Sequence, residues 1–430
     1  MPLPTTTSRV PAARYRALVD SFAADIRAGR LTPGTRLPTH RQLAASSGIA
    51  LVTATRVYAS LEAPGLVSRE PGRGTFVRSV PADHGVDMAF TAGDVVDLNF
   101  NYPSVPGQAD LLRQALRELA GAGDLESLLH YQPHAGRPAD RAVIAGFLSA
   151  PADRVVIVNG AQHGLAVTLM ALLKPGDRVA VDPLTYPGFK VLAETLHLEL
   201  VPPDQPVKAF YTMPTVHNPL GSVMPAADRE RLLDSARRQG AYVIEDASYA
   251  YLEPDPPPSL LALAPDLTVH VSGLSKSVAT GLRVGFVAAP KALVPALERA
   301  VRATTWNTPA LATAIACRWI ADGTVAALSA RKRADASARQ AVARSALAGL
   351  PQVAHPSSYF TWLPLPPDAR ADRLAATLAE RNIAVSTAEP FATTRHTPQA
   401  LRLALGSTDL PVLRSGLGVV REAILDDVSR

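Results

Sequence analysis

Five short motifs in the middle of the chain carry residue types that do chemistry, and each follows a run of apolar residues. Asn159-Gly160-Ala161-Gln162 stands between an apolar run and a helical pattern, so its backbone N–H groups are free to receive an anion. Asp182-Pro183-Leu184-Thr185-Tyr186-Pro187-Gly188 places a tyrosine after the next run, and His217-Asn218-Pro219-Leu220-Gly221 follows another. Glu245-Asp246-Ala247-Ser248-Tyr249 puts two acidic residues at the end of a fourth. Ser272-Gly273-Leu274-Ser275-Lys276 closes a fifth, with Arg283 seven residues on. A lysine amine in such a turn is a nucleophile toward carbonyl groups. The whole chain has only six lysines: Lys174, Lys190, Lys208, Lys276, Lys291 and Lys332. Each motif taken singly also has a structural explanation as a cap, a turn or a core residue. Their order and types together narrow the choice.

The elements that must position these residues alternate between strand and helix. Candidate strands are Val155–Val158, Val179–Val181, Lys208–Thr212, Val243–Ile244, Thr268–Val271 and Val284–Ala288. Helical periodicity lies between them, as in Gln162–Leu173 and Ala226–Gln239. The alternation predicts an α/β domain with a largely parallel sheet. Near-continuous apolar strands fit a sheet buried on both faces. Residues 311–430 read as a second α/β region with fewer strands.

The combination HNPLG, EDASY and SGLSKSVATGLRVG resembles the fold-type I family of pyridoxal-phosphate enzymes, the aspartate aminotransferase superfamily, over residues 97–430. The resemblance implies a mostly parallel large domain, 97–310, and a small C-terminal α/β domain, 311–430. It implies that Lys276 forms a Schiff base with pyridoxal 5'-phosphate and is the catalytic residue. Asp246 would keep the pyridine nitrogen protonated, and Tyr249 and Asn218 would bind the phenolate oxygen. Tyr186 would stack on the ring. The N–H groups around Ala161 and Gln162, with Arg283, would hold the phosphate. Tyr131, in YQPHAG, matches a residue that reaches the phosphate in the partner subunit. Arg402, in ALRLALG, matches the arginine that holds a substrate carboxylate. Two departures stand out. Gly273 occupies a position where the family has Ser or Thr on the phosphate, which removes one hydroxyl contact. The stretch between Leu200 and Val207 is also short.

The chain has 430 residues and a net charge of +5, and the charge is unevenly spread. Residues 1–80 hold eleven Arg and no Lys against Asp20, Asp25, Glu62 and Glu70, which leaves the remainder slightly acidic. Such a basic head suits a polyanion. Apolar residues Tyr15, Leu18, Val19, Phe22 and Ile26 recur at helical spacing, with Gly29 as a natural stop. Thr39 and Gln42 read as a capping box. A third helix spans about Leu51 to Glu62, with Val57, Tyr58 and Leu61 inward. Leu66–Arg69 and Thr75–Arg78 read as two strands around Pro71-Gly72-Arg73-Gly74.

Three helices and a hairpin make a winged helix-turn-helix over 1–78, and 79–96 read as a linker. GRLTPGTRLPTHRQLA and GLVSREPGRGTFV resemble the DNA-binding domain of GntR-type bacterial regulators. That resemblance places Arg41, Thr53, Thr55 and Arg73 at double-stranded DNA. Ala50-Leu51-Val52 opens the recognition helix where the family has Ser or Thr; these side chains cannot cap the helix or make polar contacts and could only touch a thymine methyl, which weakens the case for sequence-specific readout.

Head and body together resemble the MocR/GabR regulators. This implies a head-to-tail homodimer that binds operator DNA and senses an amine, an amino acid or pyridoxal phosphate itself. The alternative is a working aminotransferase with a vestigial head. The lone Cys317 excludes a disulfide framework or a cysteine-rich zinc site, and no metal is expected. No run of about 18 uncharged apolar residues occurs, so no membrane span is expected. The first fourteen residues lack the apolar stretch of a signal peptide, which points to the cytoplasm.

Overall fold

The computed structural model describes residues 10–27, 30–62, 66–70, 72–78, 95–121, 125–394 and 397–428. The chain divides into two units, Met1–Phe90 with Leu365–Asn382 and Glu422–Arg430, and Thr91–Pro364 with Ile383–Arg421. Gly29 and most of the expected linker, residues 79–94, lie outside the described residues.

The first unit opens with α1 (Val10–Arg27), α2 (His40–Ser47) and α3 (Leu51–Glu62), then the hairpin β1 (Val67–Glu70) and β2 (Gly74–Val77). The capping box is present. Thr39 Oγ1 accepts from the Gln42 N–H at 3.3 Å, and Gln42 Oε1 accepts from the Thr39 N–H at 2.8 Å. Gly48, in the left-handed conformation, ends α2. Ala54, Val57, Tyr58 and Leu61 of α3 are buried together with Ala23 and Ile26 of α1 and Leu43 of α2. In the wing, Val67 pairs with Val77 and Glu70 with Gly74, one residue away from the expected strand limits.

The second unit begins with β3 (Val96–Leu98), α4 (Gln108–Ala120) and α5 (Pro138–Leu148). An alternating run follows: β4 (Val155–Val158), α6 (Gly160–Leu172), β5 (Arg178–Ala180), α7 (Pro187–Thr195), β6 (Glu199–Val201), β7 (Ala209–Thr212), α8 (Ala226–Gln239), β8 (Tyr242–Asp246), α9 (Leu260–Leu263), β9 (Thr268–Gly273), α10 (Leu274–Ser277) and β10 (Gly285–Ala288). These strands form one sheet in the order β4-β10-β9-β8-β7-β5-β6. Only β10 runs antiparallel to its neighbours among the described strands of this sheet. β6 at the sheet edge was absent from the sequence expectation; only Leu200 and Val201 follow Glu199 before the chain turns, too short a run to read as a strand.

Successive residues of β4 enter different cores. Val156 and Val158 pack with Leu165 and Leu169 of α6, and Val155 and Ile157 with Ile144 and Ala145 of α5. The sheet is therefore buried on both faces, as its continuous apolar strands require. The chain continues through α11 (Val294–Thr304), α12 (Ala310–Ala321), α13 (Thr324–Ala346), β11 (Phe360–Pro364), α14 (Ala371–Glu380), β12 (Ile383–Thr387), β13 (Ala400–Ala404) and α15 (Leu410–Val428). A second sheet has the order β11-β13-β12-β3. Residues 97 and 98, expected to open the large domain, instead pair in parallel with β12 in this C-terminal sheet. Their hydrogen-bonding partner lies nearly 300 residues away, so no local pattern announces it.

The first unit is completed by α14 and the end of α15. Arg370 is buried there, with its guanidinium 4.0 Å from the centre of the Phe76 ring and paired with Glu70 and Asp372. Among the described residues no single helix is long and apolar enough to cross a membrane.

Thr39→Ala is expected to cost the head about 1 kcal/mol. Hydrogen exchange checks it: amides of α2 should lose protection about fivefold, while those of α6 stay unchanged.

Candidate cofactor site and nucleic-acid interface

The register of the large sheet brings three chain segments to one edge. Gly285, the first residue of β10, lies opposite both Val158 of β4 and Gly273 of β9. A Cβ on Gly285 would stand 2.5 Å from the Gly160 carbonyl carbon. One on Gly273 would stand 3.0 Å from the Val284 carbonyl oxygen and 3.3 Å from the Ala161 nitrogen. Gly273, where a hydroxyl residue was expected, is therefore a position at which the backbone of β9 closes against the start of α6.

Asn159 precedes α6 without a side-chain cap, its own N–H donating to His163 Nδ1 at 3.0 Å. The first-turn amides at Ala161 and Gln162 have no intrahelical acceptor, and the helix dipole favours negative charge beside them. Arg283 sits beside them at φ 51°, a left-handed conformation uncommon for a residue with a side chain. Its guanidinium donates to the Asn159 carbonyl at 3.2 Å and to Ser275 Oγ at 3.3 Å.

Lys276 stands on α10, the turn after β9, and its Nζ donates to the Asn101 carbonyl at 3.0 Å. Burial pushes the amine down to about 8, helped by the positive charges of Arg402 and Arg283. Asp246 ends β8 and is buried. Tyr211 donates its hydroxyl to Asp246 Oδ2 at 3.0 Å, and Ser248 donates to Oδ1 through its N–H at 3.0 Å and its Oγ at 2.6 Å. Burial raises the Asp246 carboxyl, and these hydrogen bonds oppose the rise.

Tyr186 is pushed up to about 12 by burial and by the charge of Asp246. Tyr249 is pushed up by burial as well, and Arg402 acts against that rise. These mutual effects tie Lys276, Asp246, Tyr186, Tyr249, Arg283 and Arg402 into one electrostatic group. Both phenols are neutral donors at ordinary pH.

Arg402 lies in β13, opposite Trp362 of β11 and Ser386 of β12, with its guanidinium 5.1 Å from the Phe391 ring centre. It is buried, and its Nε has no partner. Asn159 Oδ1, Gln162 Oε1 and Asn218 Oδ1 are likewise buried and unpartnered. Buried polar groups are normally satisfied. The three cations, the glycine cradle and the unsatisfied Arg402 Nε donor fit a bound group that carries a phosphate and further anionic oxygens, as pyridoxal phosphate does.

Tyr131 does not join this group within one chain: it is 84% exposed and rests on Trp306, ring centres 5.5 Å apart. Sequence reasoning missed Asn101, Tyr211 and Lys332. Lys332 of α13 is fully buried, and its Nζ donates to the carbonyls of Pro103 and Lys276 at 3.0 Å and of Val278 at 2.6 Å. Its rarity as one of six lysines was the only signal.

In the head, Arg41 and Thr55 are exposed and Thr53 is half-buried. Thr39, His40, Arg41, Leu51 and Thr55 line a shallow concavity between α2 and α3. Leu51 is 48% and Val52 is 72% exposed, so apolar groups face outward at the start of α3. Arg73 occupies the wing turn, 3.5 Å from Glu70.

The family of aminotransferases class I and II matches residues 93–204 and 202–414, and the bacterial regulatory proteins of the gntR family match 14–77. An uncharacterized HTH-type transcriptional regulator of Bacillus subtilis, YdeF, is 29% identical over 96% of this chain and 95% of its own length. The rhizopine catabolism regulatory protein MocR of Rhizobium meliloti, a probable assignment by its description, is 26% identical over 76% of each chain. The chain belongs to the MocR-type regulators. Its fold is that of the α-aminoadipate aminotransferase LysN of Thermus thermophilus, with TM-score 0.71, 21% identity, and coverage of 78% of this chain and 93% of that one.

The lowered Lys276 amine has a direct consequence. Its neutral, nucleophilic form grows as pH rises through about 8, below the range of an ordinary lysine. Acylation of Lys276, followed by mass spectrometry, is expected to reach half its maximal rate near that pH. Arg402→Gln should move the midpoint upward, because it removes a neighbouring positive charge.

Proposed function

We propose that this protein is a pyridoxal-phosphate-dependent transcriptional regulator that acts in the cytoplasm as a head-to-tail homodimer and senses an amine or amino acid. The observation that carries this reading is the electrostatic grouping of Lys276, Asp246, Tyr186, Arg283 and Arg402, whose Nε has no partner, in a chain with a GntR-type head. LysN, which shares the fold, is described in complex with N-(5'-phosphopyridoxyl)-L-leucine, a conjugate of this cofactor with an amino acid.

When bound, pyridoxal phosphate supplies an aldehyde that reacts with amines and a ring that withdraws electrons. The phosphate would rest on the Ala161 and Gln162 amides and on Arg283. Lys276 would present an amine that is about half neutral near pH 8. Asp246 would face the pyridine nitrogen, Tyr186 the ring, and Asn218 and Tyr249 the phenolic oxygen. Arg402 would take a carboxylate bidentately, which favours amino acids over simple amines. Tyr131, exposed on one protomer, would complete the site of the other.

In the head, Arg41 and Arg73 would hold phosphates, and Thr53 and Thr55 on α3 would lie in the major groove. Effector binding changes operator affinity only if it prefers one arrangement of the dimer over another. One observation favours a working aminotransferase as the second reading. The recognition helix begins with exposed Leu51 and Val52, whose side chains offer DNA no polar group.

Purified protein incubated with pyridoxal phosphate should gain a visible absorbance band that Lys276→Ala lacks. A colourless wild-type protein would overturn the cofactor assignment. The protein should retard its own upstream DNA, less so as salt rises, and Arg41→Ala should weaken this at least tenfold. Steady conversion of an amino donor without any retardation would establish the second reading instead.

A further inference from the structure

We propose that Tyr211 is a positioning residue that, through Asp246, keeps the proton of the carboxylate–pyridine pair on the ring nitrogen of the bound cofactor. The inference rests on the proposed binding of pyridoxal phosphate and extends it to a residue outside every motif.

The geometry is specific. β7 and β8 are parallel neighbours, with Tyr211 opposite Ile244, two residues before Asp246. The Tyr211 ring lies flat on Phe189 of α7, centres 3.6 Å apart and planes 9° from parallel. The stacking fixes the ring plane, and the hydroxyl donates to Asp246 Oδ2 at 3.0 Å. Ser248 supplies both donors to the other oxygen. Asp246 is thus a buried carboxylate held by neutral donors. The titratable groups that act on it are Tyr211 from β7, Tyr186 before α7, Tyr249 after β8 and His270 on β9. His270 itself hydrogen bonds to Glu245 Oε2 at 2.8 Å.

A carboxylate and a pyridine that face each other share one proton, and the stronger base keeps it. Each hydrogen bond donated to the carboxylate stabilises its charged form and weakens it as a base. Burial alone drives Asp246 the other way. Without the Tyr211 hydroxyl the carboxylate is a stronger base, and the ring nitrogen holds its proton less firmly. The phenol is suited to this work because burial and the neighbouring carboxylate keep it protonated.

Full-length Tyr211→Phe keeps the ring on Phe189 and removes only the donor. The test uses pyridoxal phosphate labelled with nitrogen-15 at the ring, whose chemical shift reports protonation directly. Wild type is expected to hold a protonated ring nitrogen through neutral pH, and Tyr211→Phe to lose that proton about one to two pH units earlier. Asp246→Asn supplies the unprotonated reference. Site-specific 3-fluorotyrosine at 211, a stronger donor, should move the titration to higher pH; it serves as the test if the phenylalanine variant does not fold. Superimposable titrations of wild type and either variant would overturn the role of Tyr211. If wild type takes up no cofactor, the cofactor assignment itself fails, and this role with it.

Discussion

The arrangement depends on a steric constraint at one spot, where the starts of α6 and β10 and the end of β9 approach more closely than side chains permit. Gly285 leaves no room for a Cβ against the Gly160 backbone, a Cβ on Gly273 would be tight at 3.0 Å from the Val284 carbonyl, and Gly164 one turn on would set a Cβ 2.8 Å from Val271 Cγ1. This contact lets β10 insert antiparallel between β4 and β9. It sets Arg283 beside the first turn of α6 and places Lys276 a single turn from the same amides. A close-packed interior transmits such a constraint because it has little free volume.

Around that spot, buried cations are held by carbonyl oxygens. Lys332 binds three carbonyls, one of them that of Lys276 itself. Fully buried Arg229 binds the carbonyls of Met224, Pro258 and Pro214 and Thr215 Oγ1, which pins the segment that carries Asn218. A buried charge without such partners is costly, so these side chains hold the loops to one geometry. Arg402 differs because its Nε is unpartnered. The contrast separates cations saturated by backbone acceptors from one that keeps an unsatisfied donor.

Much of this was legible in the chain. The helix Ala226–Gln239 and the strand Val155–Val158 occur at the expected limits, because their apolar patterns are strong and their caps local. The capping box at Thr39 depends on residues three apart. Tyr211 and Asn101 gave no such signal, since a tyrosine in a strand and an asparagine in a loop have many ordinary explanations. The place of residues 97 and 98 was hidden for the same reason: β3 pairs with β12, remote in sequence.

Taken alone, the sequence determined the residue types at the ends of the strands, the alternation of strand and helix, and the basic head. These follow from local periodicity and composition, which act over one element at a time. Tertiary structure decided which of those groups act together. Parallel pairing of β7 with β8 placed the Tyr211 hydroxyl on Asp246. Desolvation in the folded interior lowered the Lys276 amine and raised the neighbouring phenols. Both effects arise from contacts between residues far apart in the chain, and pattern along the sequence does not encode their distances.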